Sequence, residues 1–185
     1  MASSIVNSIG STDYPGLPSS FCEPFWYAAY TSANHEKRVA EQLAQRSIEH
    51  FLALYQSARR WKDRRVQLHL PLFHGYVFVR LALRDRLQVL QVPGVAKLVG
   101  FNGIPTPLPQ EEIETLKKGL VCGVRVEPHP FLSVGRRVRM KSGPFEGRQG
   151  ILLRSKGNLR LVLSIDLIMR SVVIDVDAAD VEGIH

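Results

Sequence analysis

The sequence predicts an α+β fold in two parts, an α/β sandwich followed by a small β-barrel. Two observations carry this. Up to about residue 120, apolar runs with strand character alternate irregularly with stretches of helical spacing, the pattern of strands and helices packed in layers. Beyond residue 132 only short strands remain, about ten residues apart and separated by Gly-rich turns, as in small barrels. The segment between them contains Gly123, Pro128 and Pro130 and reads as a linker. The expected organisation is a disordered arm over residues 1–21, a first domain over 22–120, a linker over 121–132 and a barrel over 133–185.

Residues 1–21 are rich in Ser, Gly and Pro and lack periodicity, hence the arm. Phe25 to Tyr30 is an aromatic strand. Asn34 offers a helix cap, and Val39, Ala40, Leu43, Ala44 and Ile48 follow at helical spacing to about Glu49. Phe51 to Tyr55 is a short strand, Arg59 to Arg65 a charged hairpin tip, and Val66 to Leu70 a half-exposed strand alternating with Gln67 and His69. Tyr76 to Leu83 is a more buried strand. Arg84 to Gln91 is a short helix stopped before Pro93-Gly94, and Val95 to Val99 returns as a strand. Pro109 suits the first turn of a last helix, with Glu111 and Glu112 near its positive end, Lys117 and Lys118 near its negative end, and Gly119 as C-cap. The barrel strands are Val138 to Met140, Gln149 to Leu153, Arg160 to Ile165 and Ser171 to Val176.

Composition bounds the function. The chain of 185 residues is 45% hydrophobic and 22% charged, a globular balance. No apolar run approaches bilayer length, and Met1 to Gly10 has no basic n-region with an apolar core, so membrane and secretory readings are disfavoured and a cytoplasmic protein is expected. Cys22 and Cys122 stand far apart without metal-ligand spacing, so no disulfide framework, metal or other cofactor is expected. His35, His50, His69, His74, His129 and His185 form no triad or ligand pattern, and no phosphate-binding Gly loop or nucleophile elbow occurs, which argues against an enzyme. Net charge is +7 and is gathered: residues 59–65 carry five basic and one acidic side chain, and residues 135–160 carry eight and one. Two basic patches point to a polyanionic partner met at defined places.

Three motifs carry candidate chemistry. In Pro71-Leu72-Phe73-His74-Gly75-Tyr76-Val77-Phe78-Val79, Gly75 permits a tight turn that sets Phe73 beside Tyr76. Rings fixed at a domain edge give apolar area at little entropic cost, as interface anchors do; on the residues alone, plain core aromatics explain them as well. Arg59, Arg60, Lys62, Arg64 and Arg65 surround Trp61, putting phosphate-binding forks next to a ring on which an unpaired base can stack; a solvated loop with Trp61 as a lid is the plain alternative. In Gly143-Pro144-Phe145-Glu146-Gly147-Arg148-Gln149-Gly150, Phe145 sits at a turn tip, and either meets a partner or folds back over the open barrel end.

The pairing of PLFxGYVFV with a downstream GPFxGxxG turn, in this element order over about Trp26 to Val181, resembles the NusG-like transcription elongation factors. The resemblance implies an N-terminal NusG-type domain and a C-terminal SH3-like barrel of the KOW type. It implies that Phe73, Gly75 and Tyr76 dock on the RNA polymerase clamp, with Trp26 or Tyr27 as floor, so that a monomer suppresses pausing and termination. It places Arg59, Arg60, Trp61, Lys62, Arg64 and Arg65 near the non-template DNA strand or an RNA hairpin. It gives Gly143, Phe145 and Arg148 a ribosomal protein or the termination factor Rho as partner. The Trp-bearing basic hairpin is similar to that of the operon-dedicated paralogues (the UpxY and LoaP type). His74 stands where the family usually has Pro, which removes a source of rigidity from the turn. The competing class is a KOW-type RNA-binding protein of the translation machinery, which explains the basic barrel but leaves the first domain without a role.

Overall fold

The computed structural model describes residues 19–61, 64–129, 135–155 and 158–184. A short helix α1 (Ser19–Cys22) leads into β1 (Phe25–Thr31), α2 (Glu36–Gln45), β2 (His50–Phe51), β3 (Leu54–Trp61), β4 (Arg64–Pro71) and β5 (Tyr76–Leu81). A 3-10 turn (Leu83–Asp85) precedes α3 (Arg86–Leu90), β6 (Val95–Leu98), a small hairpin β7 (Gly100–Phe101) and β8 (Ile104–Pro105), and α4 (Gln110–Val121). Then come β9 (Val126–His129), β10 (Arg136–Met140), β11 (Gln149–Ser155), β12 (Asn158–Ile165), β13 (Arg170–Val176) and β14 (Val181–Gly183). The fold is the expected mixture of an α/β part followed by a β-rich part.

Strands β2-β5-β1-β6 form a four-stranded antiparallel sheet. Because side chains alternate along a strand, its two faces feed two cores. Tyr27 and Ala29 of β1 with Val77 and Val79 of β5 pack on Val39 and Leu43 of α2. Trp26 and Ala28 with Phe78 face the other way, toward Ile113 and Leu116 of α4. Strands β3 and β4 form a separate two-stranded sheet. The C-terminal strands form a six-stranded antiparallel sheet in the order β14-β10-β11-β12-β13-β9. Its inward residues, among them Val138, Leu161, Val172 and Ile174, join the same core as Trp26, Phe73 and α4. The two parts of the chain therefore share one continuous apolar interior.

Several local expectations shift. Asn34 has φ +60°, the left-handed region, so it cannot adopt the extended geometry of an N-cap; α2 begins at Glu36 instead. Gly119 lies inside α4 rather than capping it. The C-cap is Cys122, and the left-handed residue just beyond it is Gly123 (φ +71°): its N–H bonds Leu120 O, and the Val124 N–H bonds Gly119 O, the paired reach-back of a Schellman motif. Val126–His129, inside the stretch read as a linker, is an edge strand paired to β13. The charged tip at residues 59–65 is mostly strand, since the β3–β4 ladder runs to the pair Trp61 and Arg64. Most of the expected arm lies outside the described residues. Among the described residues no helix is long and apolar enough to cross a membrane.

Candidate functional site

The segment joining β4 to β5 is a β-turn. The Tyr76 N–H donates to Phe73 O (3.1 Å), and Gly75 at the third position has φ +81°, as a type II turn requires. The turn is tied from two other elements. The Gly75 carbonyl accepts from the Thr31 N–H at the end of β1 (2.8 Å), and the Gly75 N–H donates to Glu36 Oε1 at the start of α2 (2.6 Å). A Cβ at Gly75 would also come within 3.2 Å of the Tyr30 ring. This position thus needs glycine for its conformation, and a Cβ there would press on the Tyr30 ring. His74, at the second position, is exposed.

The turn fixes a run of rings. Phe73 is 2% exposed and meets Phe78 edge-on at 5.5 Å. Tyr76 is half-buried, and its ring lies 5.4 Å from that of Tyr30, which is 40% exposed. Trp26 belongs to the same core as Phe73 and lies under the Lys117 ammonium, 4.1 Å from the ring centroid. Tyr27 does not floor this site; it points to the opposite face of the sheet, against α2. Tyr30 and Glu36 escaped the sequence reading. Alternation from Trp26 and Ala28 reaches Tyr30 on the same face, so a signal for it existed. Nothing in the sequence indicates that Glu36 turns inward.

The C-terminal sheet packs over this face. Phe145 does not stand at an exposed tip, nor does it merely fold over its own strands: it is 1% exposed, with its ring against the backbone of Gly119 in α4. A Cβ at Gly119 would run into that ring. The physical reason is that the loop carrying Phe145 is closed on itself, with Gly147 N–H on Met140 O and Met140 N–H on Arg148 O, and this aims the ring at the helix. Gly143, exposed at φ +87°, starts the turn. Arg148 Nε donates to Thr115 Oγ1 of α4 (3.1 Å), and its guanidinium lies 4.0 Å from Glu111. Arg170 of β13 sits 5.7 Å from the Tyr76 ring centroid. A cavity of about 340 Å³ remains between α4 and the sheet, lined in part by Phe73, Glu112, Leu116 and Phe145. Burial there raises the Glu112 carboxyl above its ordinary range; Arg148 opposes the shift and Asp166 adds to it.

Of the basic cluster, Lys62 lies outside the described residues. Arg59 pairs across the hairpin with Val66, Arg60 with Arg65, and Trp61 with Arg64. The cluster therefore occupies consecutive rungs at the end of one hairpin, and β4 runs from it directly into the Phe73 turn.

Comparison with known proteins agrees with this architecture. A family model described as transcription termination factor NusG matches residues 24–117, just over half of the chain. The chain is 29% identical over 183 residues to the transcription termination/antitermination protein NusG of Lactococcus lactis, covering 86% of this chain and 93% of that one. It is 28% identical over 173 residues to the protein of the same name from Staphylococcus aureus, covering 85% and 94%. Among solved structures, one described as domain interaction in Thermotoga maritima NusG shares the fold, with a TM-score of 0.54 at 23% identity, over 89% of this chain and 99% of that one.

Proposed function

The chain belongs to the NusG family, and on that premise we propose that it is a transcription elongation and antitermination factor that works by binding, not by catalysis. Its first domain, residues 22–120, grips the RNA polymerase clamp through Phe73 and Tyr76, shaped by Gly75 and extended by Tyr30. Binding energy spent on one clamp position shifts a two-state clamp toward elongation. The hairpin residues Arg59, Arg60, Trp61, Lys62, Arg64 and Arg65 contact nucleic acid beside the enzyme, and their density supports a factor of the operon-dedicated type. The second domain, residues 133–185, recruits a ribosomal protein or Rho through Gly143, Phe145 and Arg148 once the last two leave α4.

The observation that carries this reading is the pre-set aromatic turn: Gly75, between Phe73 and Tyr76, is held by a backbone bond from β1 and by the Glu36 carboxylate of α2, the preorganisation an interface anchor needs. The same rings lie under the C-terminal sheet, so this arrangement of the chain is the closed one, and the clamp competes with Phe145 and Arg170 for the face. Phe73→Ala and Tyr76→Ala are expected to abolish co-purification of the full chain with core RNA polymerase. Retention of both at the wild-type level would sink the polymerase reading.

A further inference from the structure

Glu36 is a buried carboxylate at the edge of the aromatic face. It is 3% exposed, and it is the one fully buried acidic side chain among the described residues. A carboxylate taken out of water is costly unless its charge is met by donors. At Glu36 two features meet it. It opens α2, where the free N–H groups and the helix dipole favour negative charge, and it accepts the Gly75 N–H at 2.6 Å. The arrangement joins the start of α2 to the turn, 39 residues away in sequence.

Within the turn itself the one tie is the Tyr76 N–H on Phe73 O, and no proline presets it. In a type II turn Pro is common at the second position, because its ring presets φ there. This chain has His74, whose side chain is exposed. Its backbone N–H takes part in none of the hydrogen bonds of the turn, which run from Tyr76 to Phe73, from Thr31 to Gly75 and from Gly75 to Glu36.

We infer that Glu36 is the positioning residue of the aromatic face, a remote clamp that holds the Phe73–Tyr76 turn in the shape a proline at position 74 would otherwise preset. This rests on the polymerase reading and adds to it a residue outside the motif. Glu36 touches no partner; it acts through Gly75. The two devices, carboxylate and proline, are interchangeable, so the role of Glu36 is testable by rescue.

The test measures affinity of the full chain for core RNA polymerase beside hydrogen exchange at the Gly75 amide. Glu36→Ala is expected to weaken binding about tenfold, the loss of one charge-assisted bond at the docking surface, and to raise exchange at Gly75. Glu36→Gln keeps an acceptor oxygen and should hold both close to wild type. Adding His74→Pro to Glu36→Ala should restore most of the binding although Gly75 stays unprotected. Leu43→Ala in the α2 core serves as control: it lowers Tm without touching the turn and should bind as wild type well below that Tm. The inference is overturned if Glu36→Ala binds normally, or if His74→Pro fails to rescue it. If Phe73→Ala and Tyr76→Ala also bind normally, the polymerase reading has failed instead, and Gly75 exchange still reports whether Glu36 holds the turn. Should Glu36→Ala not fold, Glu36→Asp, which keeps the charge at the helix start but is one methylene short of the Gly75 N–H, is compared with and without His74→Pro.

Discussion

The Phe73 turn and the β3–β4 hairpin are neighbours in the chain and are built in opposite ways. The turn is short, apolar and held from outside, by Thr31 of β1 and Glu36 of α2. The hairpin is long, basic at its end and held by its own ladder, a two-stranded sheet with eight cross-strand pairs from Leu54–Pro71 to Trp61–Arg64. A surface fixed from outside and rich in rings can serve as a docking face or as a core, and here the C-terminal sheet uses it as a core. A run of unpaired charge has no such choice, since burying it is prohibitive. On the function proposed above, the turn is then controlled by what covers it, and the hairpin answers to partner charge and salt.

The sharpest way to break that contrast is at the cover. Phe145→Ala deletes a ring 1% exposed between the C-terminal sheet and α4, and core ring deletions cost about 3–5 kcal/mol. The expected outcome is release of the C-terminal sheet from α4, seen as a larger radius of gyration by solution scattering. Polymerase affinity should rise and hairpin affinity for nucleic acid should stay as it was. An unchanged radius would show that the packing does not depend on this ring. A smaller effect in the same direction is expected from Gly119→Ala. In an ordinary helix that change stabilises by about 1 kcal/mol. Here the new Cβ meets the Phe145 ring, and overpacking costs about 1–3 kcal/mol. Weaker docking together with a more helical α4 would identify the glycine as a socket.

That glycine also measures what the sequence could and could not tell. Its place near the end of a Pro-started helix made it look like a cap, because local spacing cannot separate a cap from an interior glycine when a second one, Gly123, follows four residues later. Most strands of the two larger sheets were legible because alternation and apolar runs are local signals, and the α+β class followed from them; the edge strands β9, read as linker, and β14 were not. The joining of the two parts was not, because it depends on where Phe145 and Arg148 point after the chain has folded back on α4. Phe73, Gly75 and Tyr76 were legible as a shaped turn. Glu36 was not, because a Glu at a helix start already has an ordinary explanation in the helix dipole.

At the hairpin the expected change is in salt dependence. Arg60→Ala with Arg64→Ala removes two basic groups from adjacent rungs. If both meet phosphates, affinity for a single-stranded oligonucleotide falls, and the slope of log affinity against log salt drops by about one for each phosphate no longer neutralised. The closed and released forms should show the same drop. A slope that steepens when the C-terminal sheet is released would mean that turn and hairpin are coupled rather than independent.

The smallest effect concerns protons at the cover. Burial raises the Glu112 carboxyl, Arg148 opposes the shift and the charge of Asp166 adds to it; Glu111 precedes it on α4. Released to water, the group returns toward its ordinary value near 4.5. The closed form thus holds the proton more tightly than the released one. Closing is favoured fully below the ordinary value, weakens as pH rises toward the raised one, and is flat above it. The slope cannot exceed one proton, about tenfold per pH unit. Glu112→Gln should leave the scattering radius of the full chain independent of pH across that window. A radius that instead grows as pH falls would overturn the assignment of the linkage to Glu112.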